Sequence, residues 1–205
     1  LLGGDTTRGP LALGMTVFGR VPKGQALLRS GARVGDLLCV GGELGDAAGA
    51  LPLVLGERTE TDAAAQALLA RYWRPQPQLE LGLALRGRAT AALDISDGLL
   101  ADCEHIARAS GVALRIEQSR VPVSPALRAF AGAEEALRCA LSGGDDYRLA
   151  FTLPPALLAE LRSRFPDVTV IGRVEVGEGV HLHDAQGHQC LPSIRGYQHF
   201  GDFRD

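Results

Sequence analysis

The stretch ATAALDISDGLLADCEHIARAS, residues 89–110, joins a short apolar segment to a longer segment through an acidic turn, and it decides the predicted fold. Residues 89–95 form a brief apolar run beside a turn, which is typical of a buried strand. Residues 99–110 follow as a helix, with a glycine directly after them as a C-cap. Asp94 and Asp97 therefore lie at the carboxyl end of a strand, where ligands bind in open α/β layers.

Strand and helix patterns alternate on both sides of this unit, so the predicted fold class is mixed α/β (α+β mixed). Asp62 predicts an N-cap for the helix that follows it, and Pro52 predicts a short or kinked helix before it. The other predicted strands are residues 11–20, 36–41, 112–117, 146–152, 168–174 and 179–183, and the other predicted helices are residues 45–51, 63–73, 79–88, 125–130, 134–140 and 154–165.

The composition is that of a globular protein, with 46% hydrophobic and 22% charged residues among 205. A net charge of -3 supplies no basic surface for a phosphate backbone, so nucleic-acid binding is not expected. The sequence has no apolar run long enough to span a bilayer and no signal-peptide pattern. We therefore expect a cytoplasmic protein that does not contact a membrane. The chain begins without Met, which suggests a piece of a longer protein. The cysteines are far apart in sequence and predict free, mostly buried thiols at Cys39, Cys103, Cys139 and Cys190.

Three short segments place carboxylates beside glycines and hydroxyls at predicted turns: residues 3–7, 94–98 and 142–147. Glycine lets main-chain N–H groups approach an anion, and carboxylates are the hard oxygen ligands that Mg²⁺ prefers. A nucleotide bound with magnesium needs both. Each segment alone is also typical of an ordinary turn or helix cap, because Asp and Gly dominate such positions.

Six motifs occur in one order along the chain, and together they resemble the bacterial thiamine-monophosphate kinase family. This family belongs to the superfamily of aminoimidazole ribonucleotide synthetase and selenophosphate synthetase. The motifs are GGDTTRGPL (3–11), LLRSGA (27–32), RPQP (74–77), LDISDGL (93–99), LSGGDDY (141–147) and GYQHF (196–200).

The resemblance implies the C-terminal domain of the aminoimidazole ribonucleotide synthetase-like fold. Residues 1–22 would be the C-terminal edge and final strand of an ATP-binding N-terminal domain, and residues 23–205 the C-terminal α/β domain. It implies transfer of the ATP γ-phosphoryl group to thiamine monophosphate, giving thiamine diphosphate, with Mg²⁺ as cofactor and a homodimer in the full-length protein. A related ATP-dependent enzyme of the superfamily and a truncated, non-catalytic binding module are the alternatives.

The resemblance also assigns individual residues. No residue is implied as a catalytic acid, base or nucleophile, because the acceptor oxygen is already anionic. The implied residues are ATP contacts at Gly4, Asp5, Arg29 and Ser96, magnesium ligands at Asp5, Asp94 and Asp97, and thiamine-phosphate contacts at Asp145 and Tyr197. The family usually has Glu at position 145, an acid at 148, Ser at 47 and Asp at 198, where this chain has Asp145, Arg148, Ala47 and Gln198.

Three further features have structural as well as functional interpretations. Asp102, Glu104 and His105 on the helix after the acidic turn are predicted to form a solvated face. Tyr72 and Trp73 at a helix end favour packing or capping over ligand stacking. His181, His183, His188 and Cys190 have the spacing of a zinc site. The polar turn between them favours a hairpin with exposed histidines instead.

Overall fold

The computed structural model describes residues 2–190. Within them the strands are β1 Leu37–Gly41, β2 Ala91–Asp94, β3 Ala113–Glu117, β4 Leu149–Leu153, β5 Val168–Glu175, β6 Gly179–His183 and β7 Gln189–Cys190. The helices are α1 Asp46–Val54, α2 Ala63–Trp73, α3 Leu79–Leu85, α4 Leu99–Ser110, α5 Pro125–Ala131, α6 Ala133–Ser142 and α7 Leu158–Arg164. Two short 3-10 turns lie at Gln118–Arg120 and Pro155–Leu157.

The strands form one sheet in the order β2-β4-β1-β5-β3-β6-β7. Neighbouring strands are antiparallel, except for the parallel pair β3 and β6. The α/β class is therefore confirmed, as a predominantly antiparallel sheet with helices.

Both faces of the sheet are buried. On β1, Leu38 and Val40 belong to one core cluster and Cys39 to the other, because successive side chains of a strand point to opposite faces. The first cluster includes residues of α4 and α6, whereas the second includes residues of α3 and α7. The sheet is therefore the central layer between two groups of helices.

Local capping chemistry sets several helix boundaries where the sequence predicted them. The Asp62 side chain accepts a hydrogen bond from the Ala65 N–H at 2.8 Å and caps α2. Helix α4 spans the predicted residues and ends at Gly111, whose φ of 65° suits a residue without a Cβ. Helix α1 continues past the predicted end and contains Pro52 in its interior.

The predicted strand at residues 11–20 is wrong for the described chain. Residues 2–30 have no helix or strand and are exposed apart from the partly buried Leu27. Phe18 is 81% exposed. Valine and phenylalanine favour a strand, but a strand needs a partner for its N–H and C=O groups. None of the described strands pairs with residues 11–20, so the β propensity of these residues is not enough to form a strand here.

The thiol prediction is confirmed. Cys39, Cys103 and Cys139 are buried, Cys190 is partly buried, and all four are free. Burial raises the pKa of Cys39 to about 12 and that of Cys139 to about 11. These buried thiols are therefore protonated at neutral pH.

The histidine-containing segment is a β6–β7 hairpin closed by Asp184. The Asp184 carboxylate accepts hydrogen bonds from the N–H groups of Gln186 at 2.9 Å and His188 at 2.8 Å, which confirms the polar turn. His181 contacts the Glu178 carbonyl through its ring nitrogen at 3.0 Å. Among residues 2–190, no helix is long and apolar enough to span a membrane.

Candidate functional site

The acidic turn after β2 packs against the segment that leads into β4. The Asp145 N–H donates to the Ser96 carbonyl at 2.9 Å, and the Tyr147 N–H donates to the Ile95 carbonyl at 2.8 Å. The Ile95 N–H donates in return to the Arg148 carbonyl at 2.8 Å. The second and third predicted segments, residues 94–98 and 142–147, therefore form one surface.

Glycines make this contact possible. A Cβ on Gly144 would overlap the Ser96 carbonyl oxygen. A Cβ on Gly98 would lie 2.8 Å from the Ser142 carbonyl oxygen, and the φ of Gly98 is 118°, in the left-handed region. These glycines therefore have a packing role that does not depend on a bound anion.

Two residues without the freedom of glycine adopt left-handed backbone angles beside this contact. The φ angles are 66° for Asp145 and 50° for Tyr147. Such conformations cost energy and persist where the surrounding structure imposes them, often at functional sites. Here the hydrogen bonds to the acidic turn impose them, so the Asp145 side chain has a defined position.

The carboxylates of this surface gather around Tyr147. The Tyr147 hydroxyl donates to Asp145 Oδ1 at 2.8 Å. This hydrogen bond is the main cause of the raised pKa of Tyr147, with smaller contributions from burial and from the charges of Asp145, Asp94 and Asp97. Tyr147 is 40% exposed, so the group lies at the surface. The structure thus brings three predicted site residues together at one place.

The predicted solvated face of α4 is wrong at Asp102, which is 2% exposed. Its Oδ2 accepts hydrogen bonds from the N–H groups of Ser96 at 2.9 Å, Asp97 at 3.0 Å and Gly98 at 3.2 Å. The physical reason is that these donors at the start of α4 lack helical partners and require an acceptor. Burial raises the pKa of Asp102, and the three N–H groups oppose this effect.

The amides of the acidic turn are therefore already occupied. The sequence pattern suggested that such amides approach a phosphate, but residues 96–98 use theirs on an internal carboxylate. What this turn presents outward is carboxylate oxygen, above all from Asp94, which is exposed at the end of β2. This turn therefore offers carboxylate oxygen rather than an N–H cradle.

A second carboxylate caps α1 from a distance in sequence. The Gly45 N–H donates to Asp146 Oδ2 at 2.7 Å. Burial raises the pKa of Asp146 to about 7, and the neighbouring Asp46 adds to the shift. Asp46 itself accepts a hydrogen bond from Ser124 Oγ at 2.6 Å. The tandem aspartates of the 142–147 motif thus divide their roles: Asp145 faces outward and Asp146 supports the fold.

The remaining predicted residues lie apart from this surface or outside the described chain. Gly4 and Asp5 are exposed in the irregular first segment, where Asp5 Oδ1 accepts the Thr6 N–H at 2.8 Å. The Arg29 carbonyl accepts from Ser110 Oγ at 3.4 Å at the end of α4, and the preceding Leu28 carbonyl accepts from the Ala92 N–H of β2 at 2.8 Å, but no hydrogen bond or ion pair joins the Arg29 side chain to the acidic turn among the described residues. Tyr197 and its motif lie outside the described residues.

Within residues 2–190, no group of three or more His, Cys, Asp or Glu side chains is arranged to hold a metal ion. Asp5 is therefore not assembled with Asp94 and Asp97 in this chain, and the hairpin histidines form no such group. The sequence did not point to Asp102 or Asp146 as residues that support the site. The acidic residues inside or beside the motifs were the available signal, but their acceptor roles depend on the packing of distant elements.

The family comparison agrees with the fold. The family described as AIR synthase related protein, C-terminal domain, matches residues 33–185. The chain belongs to this family, which defines it as a C-terminal domain of the AIR synthase-like class.

Among its relatives are proteins of one particular activity. The Escherichia coli K12 protein named thiamine-monophosphate kinase is 41% identical over 98% of this chain and 63% of that protein. A crystal structure of thiamine-monophosphate kinase from Stenotrophomonas maltophilia has 43% identity and a TM-score of 0.75, covering 83% of this chain and 56% of that one. AaThiL complexed with AMPPCP and TMP has 38% identity and a TM-score of 0.73, covering 85% and 54%. The chain thus spans less than two thirds of the length of these relatives.

Proposed function

We propose that this chain is the C-terminal part of a thiamine-monophosphate kinase, which transfers the γ-phosphoryl group of ATP to thiamine monophosphate. The observation that carries the proposal is the similarity to proteins of that name over 98% of the chain at 41% identity. The solved structure with AMPPCP and TMP supports an ATP-like nucleotide and thiamine monophosphate as the two substrates. The acidic surface around Tyr147 is where this chain would contribute to their binding.

Mg²⁺ is the cofactor that suits this surface. Asp94 is exposed, Asp97 is half-buried at the start of α4, and both act electrostatically on Tyr147. Magnesium in nucleotide sites is commonly held by one or two carboxylates together with water and phosphate oxygens, so a cage of three protein ligands is not required. We propose Asp94 and Asp97 as magnesium ligands, with Asp5 joining them in the complete protein. Bound Mg²⁺ would offset the negative charge of the phosphates.

The other site residues are assigned on the same basis. Ser96 lies between the two proposed magnesium ligands and would contact ATP. Asp145 has a backbone position imposed by two hydrogen bonds and would contact thiamine monophosphate, as would Tyr197. Gly4, Asp5 and Arg29 would contact ATP. These three belong to the exposed segment 2–30, so their contacts would form against parts of the protein beyond this chain.

The domain organisation follows from that segment. We propose that residues 1–22 are the edge of an ATP-binding N-terminal domain and that residues 23–205 form the C-terminal domain. Leu11, Leu13 and Met15 are each at least 89% exposed, which supports a partner surface for them in the complete protein. A homodimer and a cytoplasmic location are part of the same proposal.

The test is ADP release by the full-length protein that contains this chain, in the presence of ATP and Mg²⁺. The proposal expects release that depends on thiamine monophosphate and is absent when unphosphorylated thiamine replaces it. ADP release that is independent of the acceptor would indicate a different ATP-dependent enzyme. No release, from a protein that is folded by circular dichroism, would indicate a binding module instead.

A further inference from the structure

A cleft of about 590 Å³ opens between the carboxyl end of β1 and the segment that joins α7 to β5. This volume is within the range of small-molecule sites, roughly 300–1,000 Å³. Three arginines line it: Arg71 near the end of α2, Arg148 just before β4, and Arg164 at the end of α7. The carboxylates of Glu43 and Asp167 lie on the same walls.

Arg148 is one of the three arginines that line this cleft. Its side chain is half-buried and makes no hydrogen bond or ion pair with any other residue between 2 and 190. Burial lowers the pKa of Arg148, the charge of Arg71 lowers it further, and Asp146, Asp46 and Glu43 oppose the shift. The Arg148 charge is therefore incompletely compensated by its surroundings.

Arg71 is free enough to share a ligand with Arg148. Its only ion pair among the described residues is a loose one, with 3.8 Å between its Nε and Asp46 Oδ2, and its side chain is 43% exposed. Both arginines also line a small pocket that includes Asp145, the proposed substrate contact. The two guanidinium groups therefore border the acidic surface as well as the larger cleft.

Gly41 and Gly42 are among the residues that line the cleft. A Cβ on Gly42 would lie 3.5 Å from Arg148 Nε, at ordinary van der Waals distance, so the guanidinium group lies close to this main chain. The Gln78 side-chain amide connects β1 and β4 beside the cleft: its Nε2 donates to the Gly41 carbonyl, and its Oε1 accepts from the Leu149 N–H at 2.8 Å. These bonds fix the wall beside Arg148 without using its donors.

We propose that this cleft binds a phosphate monoester or diphosphate group between Arg148 and Arg71, with Arg164 on the facing wall. A dianion suits two guanidinium groups because each fork can donate two hydrogen bonds to phosphate oxygens. The site borders the carboxylates around Tyr147, of which Asp94 and Asp97 are the proposed magnesium ligands. The proposal does not depend on the kinase assignment. In the family that the sequence resembles, position 148 is usually an acid, so this anion site would be particular to chains with arginine there.

The experiment is a calorimetric titration of the 205-residue chain with inorganic pyrophosphate, without magnesium or nucleotide. Arg148→Gln and Arg71→Gln should each weaken binding about tenfold or more, because each removes a charge-assisted pair. Arg173→Gln is the matched control, since Arg173 is an exposed arginine toward the other end of β5 from the cleft. It should change the affinity by less than about twofold.

Two results would overturn the proposal: no pyrophosphate binding by the unmodified chain at millimolar concentration, or equal losses in all three variants. Thermal melting checks that the variants are folded. If Arg148→Gln is unfolded, Arg164→Gln replaces it, and unchanged affinity in that folded variant would overturn the proposal.

A competition titration with thiamine monophosphate then identifies the source of the phosphate. Displacement of pyrophosphate would show that the phosphate group of the proposed substrate enters the cleft. Retention of pyrophosphate would assign the cleft to a separate phosphorylated compound. Failure of the kinase proposal would appear in the ADP-release assay and would leave these titrations unaffected.

Discussion

Asp102→Ala should destabilise the chain strongly, although Asp102 touches no proposed ligand. The change removes one carboxylate oxygen that accepts from Ser96, Asp97 and Gly98 at 2.9, 3.0 and 3.2 Å. At about 1 kcal/mol for each hydrogen bond lost at a helix start, the expected decrease in the free energy of unfolding is about 3 kcal/mol. For a chain of this size, that corresponds to a decrease in Tm of roughly 6–12 °C.

Urea denaturation followed by circular dichroism measures the loss, and Glu104→Ala is the matched control. Glu104 lies on the same helix and accepts a single main-chain hydrogen bond, from the Val180 N–H at 3.1 Å. Its removal should cost about 1 kcal/mol. If Asp102→Ala lowers the free energy of unfolding no more than Glu104→Ala does, the Asp102 carboxylate does not stabilise the acidic turn.

Four further experiments test other parts of the structure. The pKa of Asp146 rises from 3.8 to about 7 on folding, so the folded state holds an extra proton in that window. Stability should therefore decrease as the pH rises from about 4 to 7, and urea denaturation at several pH values should show a flatter profile for Asp146→Asn. Gly144→Ala should cost about 1–3 kcal/mol by overlap with the Ser96 carbonyl. Gly82 lies inside α3, where an added Cβ would meet only Leu149 Cδ1 at 3.8 Å. Gly82→Ala should therefore raise the free energy of unfolding by about 0.5–1 kcal/mol. Thermal melting compares the two glycine variants. A thiol reagent at pH 8 should label Cys190 in the folded protein, whereas the buried thiols of Cys39, Cys103 and Cys139 should react only on unfolding. Labelling of these three thiols as fast as that of Cys190 would contradict their burial.

The fold could be predicted where the signal is local. Helix α4 has its predicted bounds because a glycine follows it, and α2 starts at Asp62 because that side chain can cap it. The strand at residues 11–20 was wrong for the opposite reason. Its residue types favour an extended chain, but a strand is stable only against a partner, and propensity carries no information about whether one is present.

The candidate site, too, could be predicted only in part from the sequence. Carboxylates at a strand end and in a neighbouring motif were visible in sequence, and the structure places Asp94, Asp97 and Asp145 around one tyrosine. The inward acceptor role of Asp102 was not visible, because an acidic residue in a helix usually lies in solvent. The proximity of Arg71 and Arg148 was not visible either, because they come from elements far apart in the chain.

We propose that Asp94 helps to hold the metal–nucleotide complex, and ADP release by Asp94→Asn in the full-length protein tests this role. With ATP, Mg²⁺ and thiamine monophosphate present, we expect the rate of ADP release to fall at least about a hundredfold with an unchanged Tm, as on loss of a preorganised electrostatic group. Glu134→Gln, an exposed residue in the first turn of α6, should keep the unmodified rate. A rate for folded Asp94→Asn as high as that of Glu134→Gln would show that Asp94 does not hold the metal–nucleotide complex.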